Sequence, residues 1–229
     1  MVFTSKKINF DEIKLQVNNH NIQRVSVHKF LGIEIDSKLT WNEHTVVVCN
    51  KISKTIGVLS KLRFLPTCIL RTLYNTLILP HIYYCAEVWA MTSQTNLNRI
   101  MRTQKKAIRL ISNSHYRAHT KPLFYQLKIL NIFDICNYHI AVFMYLCHNE
   151  LLPCAIQNYF KLNSSIHKYA TRNASNYHLP KIRTSVMKRS ILFDGPKLWN
   201  SIPVTIRNCR SLQTFKQKYK MYLIESYVQ

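Results

Sequence analysis

Glycine is scarce in this chain: Gly32, Gly57 and Gly195 are its only glycines, whereas tyrosine occurs 13 times and phenylalanine 10 times. Tight turns often need a residue that accepts a positive φ angle, and glycine does so at the lowest cost. The composition therefore predicts a mainly α fold, helix-rich and with few tight turns. The same scarcity excludes a glycine-rich loop that cradles phosphates.

The net charge indicates a class of partner. There are 32 Lys and Arg against 10 Asp and Glu, a formal charge of +22. Like charges at this density repel one another in the folded state, and binding a polyanion relieves that repulsion and releases counterions. Nucleic acid is the first candidate, an anionic membrane surface is the second, and a merely basic surface is the alternative.

Cysteines and apolar runs bear on localisation. Seven cysteines without CxxC spacing are typical of a reducing compartment, and the N-terminus lacks the apolar core of a secretory signal. The longest apolar run, 73–90, is interrupted by polar residues, which favours a buried helix pair over a membrane span. We therefore expect an intracellular protein, in the nucleus or cytoplasm, with no membrane partner.

Four segments are predicted. Residues 1–38 contain short strands at 1–4, 23–27 and 30–36. Residues 39–112 form a helical bundle whose first long helix starts at a capping box, Thr40 with Glu43. A helical extension over 113–160 and a basic linker with a C-terminal unit over 161–229 follow.

One helix, from about 95 to 112, has a basic face. Arg99, Arg102, Lys106 and Arg109 recur at steps of three, four and three, and Lys105 widens the stripe. No Asp or Glu occurs between Glu87 and Asp134, so these cations have no acidic neighbour on their own helix. Phosphate binding is one interpretation, and a solvated outer face is the other. Lys51 and Lys54, on the polar face of the first long helix, are grouped with these five cations as candidate nucleic-acid-binding residues.

Catalytic chemistry is poorly represented. The ten carboxylates are scattered, and only Asp11 and Glu12 are adjacent, so neither an acid/base pair nor a magnesium site is predicted. Zinc is a sharper question, because Cys, His and short spacings coincide in one segment. Packing in a helical core explains these residues equally well. The candidate ligands are Cys136, His139, Cys147, His148 and Cys154.

Several motifs, in this order, resemble the region after the catalytic palm in reverse transcriptases of non-LTR (LINE, jockey-like) retrotransposons. They are FLGIEID at 30–36, LTW at 39–41, KISK at 51–54, YYC at 83–85, QKKAIR at 104–109 and GPKLWN at 195–200. The resemblance extends over essentially the whole chain. It implies that the N-terminal strands are a remnant of the palm, that Phe30, Leu31 and Gly32 form the turn that steadies the primer, and that 41–112 is thumb-like.

The resemblance also implies what the chain lacks. The family's metal-binding aspartates lie upstream of these motifs, so Mg²⁺ would belong to a missing palm and no cofactor is expected here. We therefore expect a truncated, inactive fragment of an RNA-directed DNA polymerase that binds RNA and DNA without sequence preference, with a palm-containing chain as a candidate partner. The alternative is a non-enzymatic helical interaction module, zinc-stabilised or not, whose basic surface is incidental.

Overall fold

The computed structural model describes residues 1, 3, 16–166 and 173–228. Two antiparallel hairpins stand near the N-terminus. The first pairs β1 (Gln16–Val17) with β2 (His20–Asn21), and the second pairs β3 (Val27–Phe30) with β4 (Ile33–Asp36). Short strands near the N-terminus are confirmed, although the strand predicted at 1–4 falls largely outside the described residues.

Helices make up most of the remaining chain, which confirms the predicted mainly α class and the helical C-terminal region. In chain order they are α1 (Asn42–Lys61), α2 (Thr67–Leu77), α3 (Leu79–Tyr83), α4 (Ala86–Trp89), α5 (Gln94–Ile111), α6 (Lys121–Leu127), α7 (Ile132–His148), α8 (Cys154–Gln157), α9 (Asn163–Ile166), α10 (Ser185–Lys188), α11 (Ile191–Ser201), α12 (Val204–Arg207) and α13 (Leu212–Glu225).

The start of α1 differs from the prediction. The helix is preceded by Trp41 in a left-handed conformation, with no side-chain cap, so the capping box predicted for Thr40 and Glu43 is wrong. The carboxylate of Asp36 binds the backbone before α1 instead. It accepts hydrogen bonds from the N–H groups of Lys38, Thr40 and Trp41 at 2.8–3.0 Å. These bonds lower the pKa of Asp36, although partial burial opposes them. The end of β4 therefore organises the entry into α1.

The core is continuous from α1 to α13. α1 lies along α5, and α7 packs against α4, α5, α11 and α13. The largest buried side chains of this core are aromatic. Trp89 of α4 and Tyr74 of α2 belong to its N-terminal part, and Trp199 of α11 and Phe215 of α13 belong to its C-terminal part. Burial of these rings stabilises the helices far more than local propensity does. The predicted division at 38, 112 and 160 stays a prediction.

In the described parts of 161–190, which are 161–166 and 173–190, regular structure consists of α9, α10 and a bridge between Leu162 and Tyr177. Four members of the basic linker, His167, Lys168, Tyr169 and Arg172, lie outside the described residues. No single helix in the described ranges is long and apolar enough to cross a membrane. α6 and α7 would reach that length only together, and they are bent by 51° relative to one another.

Candidate nucleic-acid interface

The outer face of α5 carries a row of cations. Ser93 caps the N-terminus of α5, since its hydroxyl accepts the N–H of Asn96, and the inner face of the helix is buried in the core. Because a helix turns every 3.6 residues, the cations at steps of three and four point away from that core. We define the α5 stripe as Arg99, Arg102, Lys105, Lys106 and Arg109. Arg99, Arg102 and Lys106 are exposed together on it.

Two members of the α5 stripe sit on its flank. Lys105 is half-buried and lines a small cavity of about 100 Å³ together with Lys121 and Tyr227. Arg109 is also half-buried, and its Nε donates a hydrogen bond of 2.9 Å to the carbonyl of Ala118. Arg109 therefore fixes the turn after α5.

α1 runs beside the other flank of the α5 stripe. A terminal nitrogen of Arg99 donates to Oδ1 of Asn42 at 2.7 Å, which positions the guanidinium. Further along, the Cys49 thiol meets the Thr103 hydroxyl. Burial raises the pKa of that thiol, while the Thr103 hydroxyl and the charge of Arg99 lower it to a smaller extent. The thiol therefore stays protonated near neutral pH and serves as packing.

Lys51 and Lys54 are exposed, but they do not join the α5 stripe. Residues two apart on a helix point about 200° apart, so Lys51 faces away from the side on which Cys49 meets α5. Burial lowers the pKa of His44 and of His81 on α3, and the charge of Lys51 lowers both to a smaller extent, which places Lys51 on the α3 side of α1. The structure thus separates the predicted cations into two surfaces.

Carboxylates do not neutralise the α5 stripe. Oε1 of Glu87 lies 2.8 Å from Nδ1 of His139, and within the described residues no carboxylate lies within ion-pairing distance of a member of the stripe. Asp134 is engaged inside the protein, where its carboxylate accepts hydrogen bonds from the Tyr227 hydroxyl and the Asn131 side-chain amide. Burial raises the pKa of Asp134. The stripe therefore presents its charge to solvent.

The internal hydrogen bonds of the carboxylates also decide whether they could bind Mg²⁺. A catalytic Mg²⁺ needs two or more free carboxylates converging on one point. The Asp36 carboxylate is filled by N–H donors, and that of Asp134 by Tyr227 and Asn131. Within the part of the chain that the structure describes, no three His, Cys, Asp or Glu side chains gather as metal ligands. These residues do not fit a polymerase magnesium site.

The zinc candidates are likewise apart. Cys136 and Cys147 lie on one continuous helix, α7, eleven residues and therefore roughly 16 Å apart. Burial raises the pKa of Cys136 to about 12, and burial also raises the pKa of Cys147 above its usual value. His139 is engaged by Glu87, and Cys154 is exposed on α8. Burial in the core accounts for the cysteines of α7.

The turn predicted to steady the primer joins β3 to β4. Leu31 and Gly32 both have positive φ, 46° and 83°, as in the two-residue turns that suit a twisted hairpin. The Tyr84 hydroxyl donates a 2.6 Å hydrogen bond to the Leu31 carbonyl, and its ring lies under Gly32. Phe30 and Leu31 project into solvent, 57% and 74% exposed. Tyr84 was part of the YYC motif, yet sequence reasoning gave it no role.

Curated proteins similar to this chain are polymerases of mobile elements. "Probable RNA-directed DNA polymerase from transposon X-element" of Drosophila melanogaster is 27% identical over 115 residues, 48% of this chain and 13% of that protein. "RNA-directed DNA polymerase from mobile element jockey" is 23% identical over 124 residues in D. melanogaster and 25% over 122 residues in D. funebris. Each of these two alignments covers 52% of this chain. They cover 14% of the D. melanogaster protein and 13% of the D. funebris protein.

The resemblance to jockey-like non-LTR retrotransposon polymerases is therefore confirmed, over about half of the chain rather than nearly all of it. The aligned stretch spans only about an eighth of each relative. No protein-family model matches the chain. No solved structure matches it either.

Proposed function

We propose that this chain binds double-stranded nucleic acid through the sugar-phosphate backbone, as a thumb-like part of a retrotransposon polymerase. The observation that carries the proposal is the exposed group of Arg99, Arg102 and Lys106 on one face of α5, in a stretch of chain that has no Asp or Glu from 88 to 133. Lys and Arg on such a face suit phosphate oxygens, which carry no base identity.

The dimensions of the α5 stripe suit this ligand. From Arg99 to Arg109 the helix rises roughly 15 Å, at 1.5 Å per residue. One strand of a duplex carries a phosphate about every 3.4 Å along the axis, so the stripe is long enough for about four phosphates. The bond from Arg99 to Asn42 holds one end, and that from Arg109 to Ala118 holds the other. Such preorganisation lowers the entropic cost of binding.

The names of the relatives favour an RNA-containing duplex. An RNA-directed DNA polymerase copies an RNA template into DNA, so its thumb would meet a hybrid duplex. Proteins recognise A-form helices mainly by shape and backbone, which is the mode of contact that the α5 stripe offers. Binding without sequence preference follows from that mode.

We further propose that the part of the polymerase represented by these residues binds the duplex and does not polymerise unaided. Two of its described carboxylates, Asp36 and Asp134, are committed to internal bonds, and no three His, Cys, Asp or Glu side chains of the described residues gather as metal ligands. A palm-containing polymerase chain would supply the metal ligands, and the turn at Phe30, Leu31 and Gly32 would lie near its primer end.

Charge reversal tests the binding surface. Arg102→Glu with Lys106→Glu should weaken binding to RNA–DNA hybrids of unrelated sequence alike, on the order of 100-fold, since each charge-assisted contact is worth about 1.5 kcal/mol or more. Lys51→Glu with Lys54→Glu changes the net charge equally on the other side of α1, and it should weaken binding much less. Equal losses in both variants, or a loss confined to one sequence, would contradict the proposal.

A further inference from the structure

The turn between α5 and α6 carries an exposed aromatic ring with basic neighbours. Tyr116 is 66% exposed. The guanidinium of Arg117 lies 5.1 Å from the centre of its ring, and the His115 ring lies 4.5 Å from it. Single exposed aromatics are common on protein surfaces. Here the ring is supported by a cation and an imidazole, a combination suited to stacking against a flat π-system that carries negative charge nearby.

This turn is fixed with respect to the α5 stripe. Arg109, the last member of the stripe, donates its Nε to the carbonyl of Ala118, so the turn folds back onto the end of the stripe. From the other side, Arg63 after α1 donates to Oδ1 of Asn113 at 2.6 Å. Two bonds to neighbouring elements thus bracket Tyr116. A ligand strand that follows the stripe towards its C-terminal end would next reach this ring.

We infer that Tyr116 is a stacking platform for an unpaired base of single-stranded nucleic acid, at the point where a duplex held by the α5 stripe ends. The inference rests on the proposed function, and it adds a ligand and a residue to it. Stacking on an aromatic side chain tolerates any base, because every base has a π-face. Arg117 and His115 would stay close to the phosphates that flank the stacked base.

A second ring lies at the same end of the helix pair. Phe64 is 79% exposed and follows Arg63, whose bond to Asn113 brings the two turns together. Lys61 precedes them at the end of α1 and is also exposed. Two exposed rings among cations indicate a nucleic-acid strand more than a protein partner, since protein interfaces exclude Lys from their apolar centres.

The experiment compares three labelled ligands on the full chain by fluorescence anisotropy: a blunt RNA–DNA hybrid, the same hybrid with a short single-stranded extension, and one whose extension is abasic. The bases of the extension should raise affinity roughly fivefold or more for each base stacked. Tyr116→Ala should abolish that gain and leave binding of the blunt hybrid unchanged. Tyr116→Trp should keep the gain. Tyr159→Ala, at a ring 70% exposed after α8, should keep it as well.

The outcomes separate the two proposals. An equal gain from the abasic extension, or a gain that survives Tyr116→Ala, would overturn the platform while leaving the stripe intact. If the blunt hybrid does not bind at all, the proposed function fails. In that case, binding of single-stranded RNA that is lost in Tyr116→Ala would still support the platform, and binding that is unaffected would refute it.

Discussion

The side-chain amide nitrogen of Gln104 donates a hydrogen bond of 2.9 Å to the carbonyl of Leu130. The same nitrogen donates to the Tyr74 hydroxyl at 2.9 Å, and the amide oxygen accepts the N–H of Ile132, also at 2.9 Å. Gln104 is completely buried, so this amide joins the inner face of α5 to α2 and to the start of α7. It thereby holds the orientation in which the α5 stripe faces outwards.

Gln104→Leu should cost about 2 to 5 kcal/mol in the free energy of unfolding, because it leaves the Leu130 carbonyl and the Ile132 N–H buried without partners. Urea unfolding followed by circular dichroism measures the loss. Gln126→Leu, at an exposed position of α6, is the matched control and should change stability by less than about 0.5 kcal/mol. Equal stability of the two variants would show that the buried amide is not needed.

Two glycine substitutions should act with opposite signs. Gly32→Ala should destabilise by about 1 kcal/mol, because φ at Gly32 is +83° and a new Cβ would lie 3.4 Å from the Tyr84 ring. Gly57→Ala should stabilise by about 0.5 to 1 kcal/mol, because Gly57 lies inside α1 with open space around it. Both substitutions change the unfolded chain alike, so the difference in melting temperature reports the native turn. The same sign for both would contradict the turn geometry.

His44 should make the protein less stable in mild acid. It is buried, its Nδ1 accepts the N–H of Glu34 at 3.4 Å, and its ring lies 5.3 Å from that of Trp89. Burial, and to a smaller extent the charge of Lys51, lower the pKa of His44 from 6.5 to about 4. Between pH 6.5 and about 4, His44 is protonated in the unfolded chain and neutral in the folded chain, so the free energy of unfolding falls as pH falls.

The measurement is urea unfolding at a series of pH values from 7 down to 4. His44→Asn should give a shallower decline over that window, whereas His20→Asn, at an exposed site of β2, should leave the slope unchanged. His81 and His148 have pKa values lowered in the same direction by burial, so some decline should persist in His44→Asn. Parallel curves for the wild type and His44→Asn would show that His44 is not held neutral.

Primer extension tests the proposed lack of catalysis. With Mg²⁺ and all four deoxynucleotides, the chain alone should not extend a DNA primer on an RNA template, because the carboxylates of Asp36 and Asp134 are already bonded within the protein. A complete retroelement polymerase serves as the positive control. Extension by this chain alone, retained after removal of contaminating nucleases and polymerases, would contradict the proposal.

Helical periodicity predicted much of this architecture. Ile52 on α1, and Ile100 and Ile108 on α5, occur at the spacing of an apolar helix face, and their side chains are inaccessible to solvent. The capping box at Thr40 was wrong, because Asp36, in a strand that local patterns do not connect to the helix, accepts the Thr40 N–H that Glu43 would accept in such a box. Lys51 and Lys54 were grouped with the α5 cations as nucleic-acid-binding residues, because a sequence pattern gives the polar face of each helix but not the direction in which neighbouring helices present those faces.

Long-range polar bonds could not be predicted. Gln104 occupies an apolar position of α5, four residues after Ile100, and that irregularity was the one signal of its role. Its hydrogen-bond partners are 26 to 30 residues away in the sequence. The Tyr227 hydroxyl accepts the N–H of Asn131, which is 96 residues away. Pairings at such distances depend on how the helices assemble, which propensity and periodicity do not encode.

The salt dependence of binding tests the central claim most directly. If about four phosphates are contacted, the logarithm of the binding constant should fall against the logarithm of salt concentration with a slope near −3.6 on B-form duplex, somewhat shallower on weaker polyanions. Arg102→Gln with Lys106→Gln should reduce that slope by about 2, and Lys51→Gln with Lys54→Gln should leave it almost unchanged. A flat line for the wild type, or equal slopes for the wild type and the Arg102→Gln, Lys106→Gln variant, would contradict phosphate binding by the α5 stripe.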